Sequence, residues 1–415
     1  MTRILDETIV VIETSGETAI RLAKIATRAG VTRQTLYRYF PSREDLIVAA
    51  HTERFRRTLG PSLDLVSSRV SSSASYPEFW ASIRQGLEYT FSEERREARS
   101  VRVGLFSAAL SETKLLNDLN DSAFATAVGM AESIAVAQGK GWLRDDVSAL
   151  TIAVILRSLA FGRFLIEVDE DRYDGDEWNQ LAIDAFGEHF RVDRDADPEV
   201  GAAPTFPPSE PEPKRSDTRS RLIDATNEVV TTRGEAAVRL VEIAAAVGVK
   251  QPSIYAFFES REDLLNHALR DRLSRTVMEA IDVFSLVTDR MTTRSDFTSA
   301  AASALMFILS DERSELRSAR LGLYARALAN PTLLTEVNDA SWRSAAALTD
   351  VIAVAQRNDW IRRDVSALSI AMFIRSLAFG RFFVETDRHR YDGDEWTHQV
   401  VKMILRLILS RSPES

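Results

Sequence analysis

Residues Arg21 to Leu46 read RLAKIATRAGVTRQTLYRYFPSREDL. Leu22, Ile25, Ala26 and Ala29 fall on one face of a short helix, Gly30 supplies a tight turn, and Leu36 and Phe40 mark the apolar stripe of a second helix. Two short helices joined at a glycine make a helix-turn-helix. The outward positions of the second helix carry Thr32, Arg33, Gln34, Thr35, Tyr37, Arg38 and Tyr39, side chains that suit phosphate oxygens and base edges. The partner this implies is double-stranded DNA. The next helix opens at Ser42 with Asp45 three residues on, a capping box, and Arg43 stands in its first turn, where a cation and a helix N-terminus together hold a phosphate.

This order of residues resembles the DNA-binding domain of the TetR (tetracycline-repressor-like) family of bacterial transcription regulators. The shared features are the glycine turn and the valine after it, the central tyrosine, the aromatic that closes the helix, and a basic residue before an acidic pair. The resemblance implies an all-α protein in which a DNA-reading domain precedes a larger helical domain that binds an inducer and dimerises.

Composition agrees with such a protein. A chain of 415 residues has room for about two to four domains, and its 45% hydrophobic content can bury sizeable cores. The absence of cysteine excludes disulfides, iron–sulfur clusters and thiolate zinc sites, and fits a cytoplasmic location. No signal peptide or membrane span is expected, because Asp6, Glu7 and Glu13 break the first apolar run and Arg157 interrupts the most apolar helix. A net charge of −9 argues against nonspecific coating of nucleic acid. Arg21 to Arg57 nevertheless holds nine basic against three acidic residues, a local net of +6. That is the footprint of a DNA-facing patch on an otherwise repelling molecule.

The second half repeats the first. Tyr37 matches Tyr255, Trp142 matches Trp360 and Trp178 matches Trp396, each pair 218 residues apart (255−37, 360−142, 396−178). A constant offset means two intact copies in tandem and sets a short-period solenoid aside. The implied divisions are a DNA-binding domain at 1–50, a ligand-binding and dimerisation domain at 51–192, a linker at 193–217, a second DNA-binding domain at 218–268 and a second ligand-binding domain at 269–411. The linker, Asp193 to Asp217, holds six of the 12 prolines, and Lys214 and Arg215 stand just before the second copy. In polyproline form it would reach ~75 Å. Each copy shows nine or so helical segments and no convincing strand, among them Arg43 to Leu59, Val147 to Val168 and Asp176 to Phe190.

The two copies agree best near their ends. Trp142 to Arg163 and Trp360 to Arg381 are identical at 16 of 22 positions, and RSLAFGRF recurs unchanged at Arg157 to Phe164 and Arg375 to Phe382. A two-fold interface makes each patch meet its counterpart, and small residues let helices approach closely. Ala153, Arg157, Ala160, Phe161, Gly162 and Phe164 are thus expected to face Ala371, Arg375, Ala378, Phe379, Gly380 and Phe382 in an intramolecular pseudo-dimer. TetR-like proteins dimerise through their last two long helices, which these segments resemble.

The two reading heads differ. The second reads GVKQPSIYAFFESREDL, with Lys250, Gln251, Pro252 and Ser253 in place of Thr32, Arg33, Gln34 and Thr35, and with Ala256 and Phe257 in place of Arg38 and Tyr39. Pro252 suits the first turn of a helix, and Tyr255 and Arg261 keep phosphate-contacting positions. Arg239 to Arg275 holds six basic and five acidic residues, a net of +1. An operator with unlike half-sites follows, or a second head that has lost its grip.

The resemblance implies a ligand cavity among the middle helices. Phe79, Trp80, Leu87, Phe91, Phe106, Phe124 and Met130 are candidate wall residues in the first copy, and Phe297, Thr298, Leu305, Leu309, Tyr324, Trp342 and Leu348 are their counterparts. They suit a small apolar or amphipathic ligand. Arg157, Arg163, Arg375 and Arg381 read as salt bridges to Glu167, Glu385 or an acid across the interface, in preference to a ligand carboxylate. YDGDEW, at Tyr173 and again at Tyr391, lacks the spacing of a calcium loop and caps the last helix through Asp176 or Asp394. No histidine recurs at an equivalent position, and no nucleophile elbow, phosphate loop or metal cluster appears, so neither enzymatic activity nor a cofactor or metal is expected. The reading is a ligand-responsive, DNA-binding transcriptional repressor. Its rival is a ligand-binding or protein-interaction module with vestigial DNA heads.

Overall fold

A computed structural model describes residues 1–192, 217–288 and 292–409, and among these the chain is helical with no strand. The first copy comprises α1 (Thr2–Ser15), α2 (Leu22–Ala29), α3 (Arg33–Tyr39), α4 (Arg43–Ser72), α5 (Tyr76–Phe91), α6 (Arg96–Ala109), α7 (Thr113–Gly139), α8 (Ala149–Gly162), α9 (Phe164–Glu167) and α10 (Gly175–Phe190). The second comprises α11 (Thr218–Arg233), α12 (Leu240–Val247), a 3₁₀ turn at Gln251–Ala256, α13 (Arg261–Thr288), α14 (Arg294–Ile308), α15 (Ser314–Ala327), α16 (Pro331–Arg357), α17 (Ala367–Gly380), α18 (Phe382–Thr386) and α19 (Gly393–Leu409). The linker, with Lys214 and Arg215, lies outside the described residues except for Asp217, which accepts from the Ser220 amide at 2.8 Å and caps α11.

Three elements depart from the sequence reading. Gly60 and Pro61 do not end α4, which continues to Ser72. Residues 50 and 268 therefore fall inside α4 and α13, so each head shares a helix with the body behind it. The apolar helix expected from Val147 to Val168 breaks at Arg163 into α8 and α9, and the second copy breaks likewise at Arg381. Finally, the cap of α10 is Asp174, not Asp176: it accepts from the amides of Asp176 and Glu177 at 3.0 and 2.9 Å. Asp392 does the same for α19. The aspartate that precedes the glycine is the residue with extended backbone, and only there can a side chain turn back to the first free amides.

The paired helices α8 and α17 form the centre. By length and composition Ala149–Glu167 and Ala367–Thr386 would each cross a membrane, but 89% of each apolar window is buried within the protein. Their faces meet each other. Phe161 stacks on Phe379 with ring centroids 5.0 Å apart and planes 3° from parallel. A Cβ on Gly162 would lie 2.3 Å from the Ser376 carbonyl oxygen, and one on Gly380 would lie 2.3 Å from that of Ser158. Ser158 Oγ donates to the Gly380 carbonyl at 3.0 Å. Ala153, Ala160, Ala371 and Ala378 are buried on the same two helices; Phe164 packs on Tyr324 and Phe382 on Phe106, at 5.5 Å each.

Polar contacts around this crossing are reciprocal. Glu177 accepts from the Ser366 amide at 2.8 Å, from its hydroxyl at 2.7 Å, and from the Ser369 hydroxyl, so the first copy caps α17. Glu395 accepts from the Ser148 amide at 2.9 Å and from the Thr151 hydroxyl, so the second caps α8. Asn120 donates to the Thr386 carbonyl at 2.8 Å, and Asn338 to that of Val168 at 2.6 Å. Within each copy a buried ion pair, Arg99 with Glu167 and Arg317 with Glu385, ties α6 to α9 and α15 to α18. The expected bridges from Arg163 and Arg381 run to the same glutamates at 3.9 and 3.3 Å.

Because the atoms facing Gly162 and Gly380 are backbone, they cannot swing aside. Gly162→Ala or Gly380→Ala is expected to cost about 1–3 kcal/mol or more through overpacking, measured by thermal or urea unfolding. Gly104→Ala, in α6 with nothing within 4 Å of the added methyl, should instead stabilise by ~0.5–1 kcal/mol.

Candidate functional site

The first head is built by local chemistry. Gly30 takes φ 67° and ψ 35°, a left-handed conformation that costs glycine nothing, and it lets its own amide reach the Thr27 carbonyl and the Val31 amide reach that of Ala26. Thr32 then caps α3 by accepting from the Thr35 amide at 3.1 Å. Leu36 and Phe40 are buried beneath α3. Thr32, Arg33, Gln34, Tyr37, Arg38 and Tyr39 are exposed on its outer side, and Thr35 is half-buried. Tyr37 is 50% exposed and Tyr39 44%, large values for aromatic rings in a folded protein. Among the described residues Arg33 and Arg38 make no ion pair, and Arg38 lies 5.2 Å from the Tyr39 ring centroid. The structure thus gathers these residues on one free surface.

Arg43 is placed differently from the phosphate contact expected of it. Its guanidinium donates to the Glu17 carbonyl at 2.6 Å and to that of Ile20 at 3.3 Å, and lies 3.6 Å from Glu44. Arg261 repeats this in the second head with the Glu235 and Val238 carbonyls, at 2.7 and 2.9 Å. Both side chains hold the turn that precedes the helix-turn-helix. The sequence signal was ambiguous, since a cation in a helix's first turn can face outward to a phosphate or back to the preceding turn. Glu17 also accepts from His51 at 2.8 Å, and this hydrogen bond holds its carboxyl below the ordinary range against the opposing effect of burial.

The second head diverges in backbone as well as in side chains. Gly248 keeps the left-handed turn, with φ 76°. Lys250 has no side-chain oxygen with which to cap, and Pro252 has no amide. The segment Gln251–Ala256 accordingly winds as a 3₁₀ turn, with the Ser253 amide on the Lys250 carbonyl at 2.9 Å, where an α-helix was expected. Lys250, Pro252, Ser253, Tyr255 and Phe257 are exposed and Gln251 is half-buried.

The heads also sit on their bodies differently. Buried apolar residues of the first head, except Val48, form a cluster of their own, whereas those of the second are continuous with the main core. Arg326 of α15 reinforces the second attachment by pairing with Glu235 and, at 2.8 Å, with Glu262. The position equivalent to Arg326 in the first copy (326−218) is Ala108, and the first head is tied back instead by Lys114 with Asp45, Arg54 with Glu13 and Arg57 with Asp6.

Behind the first head lies a cavity of about 60 Å³, lined by Leu59, Leu87, Thr90, Arg102, Thr126, Met130, Leu156, Arg157 and Ala160, with Phe383 contributed by the second copy. Of the expected wall residues only Leu87 and Met130 line it. Phe79 packs on Trp80 and Trp142, Phe91 on Trp178, Phe106 on Phe55, and Phe124 on Tyr391 across the copies. In the second copy Phe297 packs on Trp360, Tyr324 on Phe164 and Trp342 on Tyr173, while Leu305, Leu309 and Leu348 are core and Thr298 donates to the Arg294 carbonyl. Arg157 and Arg375 are not paired with Glu167 or Glu385. Arg157 donates to the Tyr391 hydroxyl at 3.2 Å, and Arg375 to the hydroxyls of Ser341, at 2.7 Å, and Ser344. Leu59, Thr90, Thr126, Leu156 and Phe383 were not expected in the wall, and Arg102 is the charged residue among those that sequence reasoning missed. A signal existed, since Arg95, Arg99 and Arg102 repeat as Arg313, Arg317 and Arg320 at helical spacing.

Residues 4–50 and 222–268 match the family described as bacterial regulatory proteins, tetR family. The chain is similar to the HTH-type transcriptional repressor KstR of Mycobacterium tuberculosis, at 30% identity over 171 residues, 41% of this chain and 61% of that protein. With KstR of Mycolicibacterium smegmatis it shares 44% identity over 55 residues, 13% of this chain and 27% of that one. Less than two thirds of either repressor is therefore spanned. Among solved structures, the fatty acid degradation regulator FadR from Bacillus halodurans aligns at 17% identity and TM-score 0.35 over 46% of this chain and 97% of its own. FadR from Bacillus subtilis in complex with stearoyl-CoA aligns at 15% and 0.32 over 45% and 95%.

Since Arg43 holds two carbonyls of the first head, Arg43→Met should lower stability without any DNA present, by about 1–3 kcal/mol for its charge-assisted hydrogen bonds. Arg33→Met should leave it unchanged within ~0.5 kcal/mol. Hydrogen exchange of the α2 and α3 amides distinguishes the two outcomes.

Proposed function

We propose that this chain, a tetR-family member carrying two copies of the family's DNA-binding domain in tandem, is a ligand-responsive transcriptional repressor whose operator has two unlike half-sites. The observation that carries the reading is the exposed set Arg33, Gln34, Tyr37 and Arg38 on the α3 of the first head, whose two arginines make no ion pair among the described residues, together with a second head of the same plan and different surface. One polypeptide supplies both halves of the reading dimer, a pairing supported by the reciprocal caps of Glu177 and Glu395. In a symmetric dimer the two recognition helices are alike, lie ~34 Å apart and demand a palindrome. Here Arg33 and Arg38 seek guanine or phosphate in one half-site, Gln34 and Thr35 read beside them, and Gln251 with Lys250 and Ser253 suits adenine-containing steps in the other. Tyr37 and Tyr255 position the heads on phosphates. The protein acts in the cytoplasm, without enzymatic chemistry. Ligand binding favours a state in which the heads no longer match successive major grooves, and that differential affinity releases the DNA.

A second reading has its own observation. The 3₁₀ turn, the loss of the threonine cap and the local net of +1 in the second head favour a copy that serves as a structural partner while the first head alone reads.

Selection of bound sequences from random duplex DNA, at two salt concentrations, separates these. A motif of roughly 15–20 base pairs with unlike halves is the expected result, and Lys250→Ala with Gln251→Ala should then relax one half only. A single recovered half-site would establish the second reading. A palindrome would rule out unlike half-sites. No enrichment, with weak and steeply salt-dependent binding, would remove the regulator reading altogether.

A further inference from the structure

The cavity of the first copy contains two cations that form no ion pair among the described residues. Arg102 and Arg157 are each only 8% exposed. Among the described residues neither lies within ion-pairing distance of a carboxylate. Arg102 donates to the Thr58 hydroxyl at 3.0 Å and to the Thr58 carbonyl, both neutral groups, and Arg157 donates to the Tyr391 hydroxyl. Arg157 acts on the Asp387 carboxylate more weakly than Arg390 and His389 do, and these two already pair with it at 3.4 and 3.1 Å. Burial, followed by repulsion from Arg95, Arg157 and Arg99, holds the Arg102 guanidinium down at about 9. Burying a cation without a counter-charge is costly, and proteins otherwise pair such groups or bind an anion with them.

The second copy gives the corresponding guanidinium more hydrogen-bond acceptors, while burial still holds it down, at about 10. Arg375, the counterpart of Arg157, gives its two terminal nitrogens to the hydroxyls of Ser341 and Ser344. The matching positions of the first copy (341−218, 344−218) are Ala123, which has no hydroxyl, and Thr126, whose hydroxyl donates to the Ser122 carbonyl at 3.0 Å and, among the described residues, receives no hydrogen bond from Arg157. The remaining wall of the first cavity is mostly apolar, with Leu59, Leu87, Met130, Leu156, Ala160 and Phe383 beside one further threonine, Thr90.

We infer that each chain binds one amphiphilic carboxylate, in the first copy only, with the carboxylate on Arg102 and Arg157 and the apolar body along the leucine and methionine wall. This deepens the ligand-responsive part of the proposed function and rests on it. About 60 Å³ accommodates the carboxylate and the first methylenes, and Met130, half-buried and unbranched, yields to a longer tail. A planar guanidinium fork matches a carboxylate in two parallel hydrogen bonds, which sets this head group above an alcohol or an amide.

The test is calorimetric titration of the full chain, without DNA, with octanoate, octan-1-ol and acetate. Expected are one octanoate site per chain and binding by octanol and acetate weaker by about tenfold or more. Arg157→Met should weaken octanoate by a similar factor, and Met130→Trp, which fills the cavity while leaving both guanidiniums, should abolish it. Arg375→Met should leave it intact. The melting temperature of each unligated variant reports whether it folds. Octanol binding as tightly as octanoate, acetate binding as tightly, two equivalent sites, or no octanoate binding would each overturn the inference. Because no DNA is present, octanoate binding by a chain that enriches no operator would leave this site standing while the regulator reading fails, and the converse result would do the reverse.

Discussion

Backbone-to-backbone contact between α8 and α17 is the constraint on which the rest depends. Where Gly162 faces the Ser376 carbonyl and Gly380 faces that of Ser158, no side chain of any size can intervene. That proximity brings Phe161 flat against Phe379 and places the starts of α10 and α19 beside the starts of α17 and α8. It also explains why the acidic run before each last helix is used twice. Asp174 and Asp392 cap their own helices, while Glu177 and Glu395 cap the opposite copy's, each supplying a carboxylate to free amides where a helix's partial positive charge favours one.

The two copies obey different rules in different places. At the crossing, a change in one copy is felt by the other, so the contacts stay reciprocal: Asn120 and Asn338, Glu177 and Glu395, and Arg172 with Asp339 against Arg390 with Asp121. The heads differ in cap, helix type and attachment. At the crossing itself Arg157 and Arg375, identical in sequence, differ in what receives their hydrogen bonds, because Tyr391 of the other copy accepts from one and Ser341 of its own copy from the other.

Much of this was legible in the order of residues. The glycine turns, the apolar stripes and the unchanged RSLAFGRF run place the helix-turn-helix units and the central crossing because those features act locally or through identity between copies. What could not be read depended on choices among neighbours distant in sequence. Arg43 and Arg261 could as well have faced a phosphate, and only the proximity of the Glu17 and Glu235 carbonyls turns them inward. Large aromatics such as Phe79, Phe91 and Phe106 suit a pocket wall and a core equally, and rings at 5.2–5.4 Å from other rings make them core. The 3₁₀ winding at Gln251–Ala256 was partly visible in Lys250 and Pro252, since a missing cap and a missing amide remove two supports of an α-helix at once.

The cavity and the crossing are not independent. Phe383 of the second copy lines the first copy's cavity, its ring centroid lies 4.8 Å from the Arg157 guanidinium, and Tyr391 of the second copy accepts the Arg157 hydrogen bond. Phe383 also packs edge-on against Phe161, at 4.7 Å, and against Phe106, at 5.2 Å. A carboxylate drawn to Arg157 competes with the Tyr391 hydroxyl and with the Phe383 ring for the same guanidinium. It therefore acts on α18 and on the turn before α19 without touching either head. An anion that binds one arrangement of these residues better than another shifts their equilibrium by that difference and no more. Arg326 holds the second head to its body, and Lys114, Arg54 and Arg57 hold the first through Asp45, Glu13 and Asp6, so a shift in either body reaches its head through fixed ion pairs.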